Sequence, residues 1–83
     1  MTHLLKTDAA HFQAVWERRK TAEVRFNDRD YKVGDFLCLL DYNQRSITAE
    51  VTHILQDDTY LQPGYVLLSL DVVGLLKYDG SKA

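Results

Sequence analysis

Between residues 20 and 31 the chain reads KTAEVRFNDRDY, a run of side chains suited to gripping a polar, charged molecule. Arg25 offers a planar fork for a phosphate or a base edge, and Lys20 and Arg29 offer further positive charge for phosphate. Glu23 accepts from an exocyclic amine, and Thr21 and Asn27 can read either donors or acceptors. A strand over Ala22 to Phe26 would send Thr21, Glu23 and Arg25 to one face and Ala22, Val24 and Phe26 to the other. The first face is expected to carry the chemistry and the second to join the core. A simpler account makes Glu23 and Arg25 a same-face ion pair; the two accounts coexist, because a carboxylate often orients an arginine.

Charge supports this focus. Residues 18 to 32 hold six bases (Arg18, Arg19, Lys20, Arg25, Arg29, Lys32) against three acids, a local excess of +3 in a chain of net charge −2. An anionic partner would be steered to that stretch. The overall acidity speaks against an indiscriminate nucleic-acid binder, which is normally basic throughout.

The elements that must position these residues follow in chain order. His3 to Lys6 reads as a first strand, and Thr7 or Asp8 then caps a helix running to about Arg18. Phe12, Val15 and Trp16, with Ala9 nearby, form a narrow apolar stripe expected to face the core. Arg18, Arg19 and Lys20 close the helix, where cations offset its dipole. After the central strand, Gly34 marks a turn, Phe36 to Leu40 reads as a buried strand, and Asp41 to Arg45 as a hairpin loop into Ser46 to Leu55. In that strand Ile47, Ala49 and Val51 alternate with Thr48, Glu50 and Thr52. Gln56 to Gly64 is irregular and ends in a Pro63-Gly64 turn of type II. Tyr65 to Leu76 is the last strand, followed by a polar tail expected to fray. Eighty-three residues, 46% hydrophobic and 27% charged, fit a single domain over residues 1–83. Many strands with one helix point to an α+β class, a small curved or closed barrel of five or six strands with the helix over an opening.

Several segments resemble ASCH-like domains of the PUA superfamily: His3 to Thr7, Phe12 to Val15, Lys20 to Arg25, Asn27 to Asp35, and Gly64 to Leu70. The resemblance spans nearly the whole chain. It implies a PUA-like mixed β-barrel with its main helix beside a cleft, a role in binding RNA or modified nucleic acid, and a place among bacterial and phage-encoded proteins. The family's G-x-K-x-x-E-x-R pattern falls on Lys20, Glu23 and Arg25, which would line the cleft, while Arg18 stands where the pattern has glycine. Some ASCH-like proteins resemble amidohydrolases that deacylate a modified nucleoside with a lysine, a threonine and a glutamate. Here Lys20, with Thr21 or Glu23, would take that work, and Asp71 is the remaining candidate acid. A protein-interaction or regulatory module is the third reading.

The partner expected on these grounds is RNA or a nucleotide-like ligand, with Tyr31, Tyr42 or Tyr60 available to stack on a base. No cofactor is implied. His3, His11, His53 and Cys38 make no recognised metal pattern, and His11 is expected at the helix surface. Cys38, within the apolar run FLCLL, reads as a buried structural thiol. No apolar run is long enough to span a membrane, and the opening MTHLLKTD lacks the basic region and apolar core of a signal peptide, so a cytoplasmic protein is expected.

Overall fold

The computed structural model describes residues 1–77. Its elements are β1 (Thr2–Lys6), α1 (Ala9–Trp16), β2 (Ala22–Phe26), β3 (Phe36–Leu40), β4 (Arg45–Leu55) and β5 (Tyr65–Lys77). The polar tail expected after Leu76 lies, apart from Lys77, outside the described residues.

Period-two alternation builds the inner face of the sheet. Leu5, Leu39 and Ile47 form one cross-strand row and His3, Leu37 and Ala49 the next, all buried. Phe12 and Val15, one helical turn apart, are fully buried against these rows, with Trp16 packed beside them. The five strands run in the order β1-β3-β4-β5-β2, with β1 parallel to β3 and every other pair antiparallel. The sheet is a curled half-barrel, the curved rather than the closed form of the two that the strand count allowed. Among the described residues β1 and β2 do not pair; they are its two edges, joined in sequence by α1.

The helix is shorter than its sequence pattern suggests and is capped differently. Asp8 occupies the N-cap position, where its backbone carbonyl accepts from Phe12 N–H at 2.8 Å, but neither its side chain nor that of Thr7 caps the first turn. At the other end Arg18 takes φ +61°, with Arg18 N–H bonded to Val15 O and Arg19 N–H to Ala14 O, both at 2.9 Å. This is a Schellman closure, whose left-handed residue is most often glycine. Arginine therefore bears the steric cost of a conformation that glycine adopts freely.

The strand β2 inverts the expected division of faces. Val24 and Phe26, expected in the core, are 53% and 54% exposed, whereas Glu23 is only 4% exposed and Arg25 is half-buried. The curl of the sheet turns the ionic face inward, where opposite charges satisfy one another. Outside, Phe26 meets Tyr65 edge-on at 5.5 Å between centroids. Gly64, at φ +87° and with Tyr65 N–H bonded to Gln62 O at 3.0 Å, completes the turn expected at Pro63-Gly64. A Cβ on Gly64 would lie 2.7 Å from the Phe26 ring, so glycine serves both the turn and the contact. Cys38, expected to be buried, is half-buried on the outer face of β3.

The hairpin loop holds a feature that its composition concealed. The guanidinium of Arg45 lies 4.9 Å from the Phe12 ring centre and 4.8 Å from that of Trp16. It also pairs with the buried Asp41 carboxylate, with Nη2 at 2.8 Å and Nε at 2.9 Å. Asp41 Oδ1 accepts from the backbone N–H groups of Asn43 and Arg45, so Asp41 ties the hairpin and Arg45, paired with it, docks the hairpin on α1.

Candidate functional site

At the open seam between β1 and β2, the end of β1, the start of α1 and the inner face of β2 enclose a half-open hollow of about 340 Å³. Glu23 is deepest. Lys20 Nζ donates to its Oε1 at 2.9 Å, and Arg25 Nε stands 3.4 Å from its Oε2. A carboxylate this far from water needs such neutralisation, and two cations supply it. The Arg25 Nε–H points poorly at Glu23 and has no hydrogen-bond partner, while Nη2 crosses the seam to Thr7 Oγ1 at 3.3 Å and Lys6 O at 3.4 Å. Thr7 therefore fastens Arg25 rather than capping the helix. Lys20 Nζ also lies 3.1 Å from His11 Nδ1. Burial pushes the Tyr31 phenol above its ordinary pKa, against the opposing pull of the Arg25 and Arg29 charges.

Of the six residues singled out in the sequence, Lys20, Glu23 and Arg25 converge on this hollow. Thr21 instead lines a smaller neighbouring hollow of about 120 Å³ with Arg18 and Asp71, and Lys20 forms part of both walls. Asn27 works structurally, its Oδ1 accepting from Tyr31 N–H at 3.2 Å and tightening the loop. Arg29 is exposed, 3.9 Å from Asp28, and lies outside the hollow. Tyr31 is only 6% exposed and packs against His3 at 4.8 Å between centroids, so it cannot stack on a base; Tyr42 and Tyr60 are exposed and line no wall of this hollow, although Tyr42 borders an adjoining one with Lys6 and Thr7.

Residues expected in other roles complete the walls: Lys6, Thr7, Asp8 and His11 from the β1–α1 side, and Val24 from β2. His11 directly precedes the buried Phe12, which places it off the core stripe as expected. Its approach to Lys20, nine residues on, depends on the reversal at Arg18, for which the helical pattern carries no signal. Among the described residues no three His, Cys, Asp or Glu side chains gather to hold a metal ion, and no helix is long and apolar enough to cross a membrane.

The model of a family described as a domain of unknown function, DUF3850, matches residues 2–70. An uncharacterized 12.9 kDa protein from the GpA 3′ region of Escherichia phage P2 is 37% identical over 71 residues, covering 80% of this chain. The chain spans 64% of that relative's length.

Proposed function

The chain belongs to the DUF3850 family, and from its own geometry we propose that the seam hollow binds a nucleotide unit of single-stranded RNA or modified nucleic acid. The observation that carries this reading is Glu23, a deeply buried carboxylate held by Lys20 and Arg25 at the floor of an open hollow of base-like size. A carboxylate in that position accepts from amine or imino donors on a base edge, and the cations around it attract phosphate. The +3 stretch steers an anionic chain toward the opening. His11 brings an imidazole ring to the wall, a surface on which a base stacks. The resemblance to ASCH-like domains, and with it a PUA-like barrel, belongs to this same reading.

The test is fluorescence anisotropy of short single-stranded RNA at several salt concentrations, with wild type, Lys20→Ala and Arg25→Ala. Phosphate contacts predict weaker binding and a salt slope shallower by about one for each variant. Absence of binding, or variants indistinguishable from wild type, would overturn the reading.

A second reading rests on the smaller hollow, which gathers Lys20, Thr21 and Asp71, the candidates for the lysine, the hydroxyl and the acid of a deacylating site. Against it, an amide-cleaving lysine must shed its proton, and Lys20 instead donates to a carboxylate at 2.9 Å. Deacylation of acylated cytidine that disappears in Lys20→Ala would favour the second reading over the first.

A further inference from the structure

The open margin of β2 carries an unused pair of backbone groups. In an antiparallel ladder, alternate residues exchange both N–H and C=O bonds with the partner strand, and those between them turn both groups away. Two bonds fix the phase here: Leu70 N–H donates to Thr21 O at 2.9 Å, and Asn27 N–H donates to Gly64 O at 2.8 Å. With Glu23 opposite Leu68 and Arg25 opposite Val66, the residues facing β5 are Thr21, Glu23, Arg25 and Asn27. Val24 therefore points its N–H and C=O outward, and no other strand pairs with β2 among the described residues. Val24 is also the β2 wall residue between Glu23 and Arg25 in the hollow.

We infer that Val24 is the base-reading position of this site: its N–H and C=O, side by side on the free strand edge, pair with the adjacent acceptor and donor of a nucleobase. The inference rests on the nucleotide-binding reading and assigns the element that recognises the base. Every nucleobase presents such an acceptor–donor pair as a lactam or an amidine, and Glu23 beside Val24 adds an acceptor for a further amine or imino hydrogen. An extended peptide also pairs with a strand edge, but here it has little room. Arg25 reaches across the seam to Lys6 and Thr7, and the Phe26 carbonyl is already bonded to Asp28 N–H at 2.9 Å. Along this edge Ala22 and Val24 keep both backbone groups free, and of the two Val24 borders the half-open hollow, which suits a flat base better than a strand.

The experiment follows the backbone amides of ¹⁵N-labelled full chain during titration with AMP, CMP, GMP and UMP, alongside RNA binding by two variants. A base on this edge shifts the Val24 amide resonance downfield and slows its hydrogen exchange. Val24→Pro deletes the donor at an edge position where proline is tolerated, and RNA binding is expected to weaken about tenfold. Val24→Ala keeps the backbone donor and acceptor and loses only side-chain contact, so its loss of RNA binding is expected to be clearly smaller than that of Val24→Pro. If RNA binds in an Arg25-dependent way while the Val24 amide is unmoved by any nucleotide, this inference fails and the nucleotide-binding reading stands. If neither RNA nor any nucleotide binds, both fail. An alternating Thr-Val peptide that shifts the Ala22, Val24 and Phe26 amides together, where nucleotides shift none, would reassign the edge to strand addition and overturn the proposal. The amide titration needs only wild-type protein, so it decides even if Val24→Pro does not fold.

Discussion

His3 Nε2 and Asp35 Oδ2 meet 2.8 Å apart in a buried pair that joins the first strand to the turn before the third. Asp35 also accepts from Lys32 N–H at 3.0 Å, so the same carboxylate shapes the turn in which Gly34 sits. The hydrogen bond from His3, helped by that from Lys32, lowers the Asp35 carboxyl from its ordinary range to about 2. A depressed carboxylate stabilises the fold above its unfolded pKa, and that contribution is lost as pH falls toward the folded value. Stability is therefore expected to decline from about pH 4 down to about pH 2. In Asp35→Asn the urea midpoint should fall less steeply across that window. An identical acid limb in wild type and variant would refute the assignment.

The Arg45 clamp predicts a large stability effect far from the seam. Arg45→Ala removes the guanidinium between Phe12 and Trp16 and leaves Asp41, 4% exposed at its side chain, without its ion partner. The expected loss is about 3 kcal/mol in urea denaturation, and Arg45→Lys should recover less than roughly half of it, because an ammonium lacks the fork and the flat stacking surface. Asp41 adds to acid sensitivity with the same sign as Asp35: burial pushes its carboxyl up, but hydrogen bonds from the Arg45 backbone and guanidinium outweigh this and leave it lowered.

Arg18 at φ +61° predicts the reverse. Arg18→Gly removes the clash of a Cβ in the left-handed region, and the gain should be roughly 0.5–1 kcal/mol after the greater unfolded-state freedom of glycine is counted. Equilibrium unfolding measures it directly. A destabilised variant would show that the Arg18 side chain contributes more than its backbone costs.

Glu23 and Lys20 should behave as a coupled pair. Glu23→Gln is expected to cost about 1–2 kcal/mol, less than a wholly buried pair would, because Lys20 and Arg25 each keep some access to water. Combining it with Lys20→Gln should cost clearly less than the sum of the single changes, and a double-mutant cycle reads that coupling. Additive losses would mean that the 2.9 Å contact contributes nothing of its own.

Much of the fold was legible because alternation and helical spacing are local. The Ile47-Ala49-Val51 face, the Phe12-Val15 stripe and the Pro63-Gly64 turn all lie where their residue types place them. The site was legible in part: Lys20, Glu23 and Arg25 do converge. Which side of β2 faces inward was not legible, since hydropathy ranks Val24 and Phe26 as core and cannot register that Glu23 and Arg25 neutralise each other once the sheet curls. Long-range partners were hidden for the same reason. Nothing near Thr7 or His11 in the chain announces Arg25 or Lys20, and nothing in the loop at Asp41 announces the Phe12 and Trp16 rings.

The seam has one more consequence. Both of its lips, and the helix between them, come from residues 2–26, yet in the sheet they are the two ends of a five-strand ribbon. A guest lodged there clasps together margins that no ladder of backbone bonds joins. Its free energy of binding is thereby added to the cohesion of the whole ribbon, and the melting temperature climbs with guest concentration by mass action.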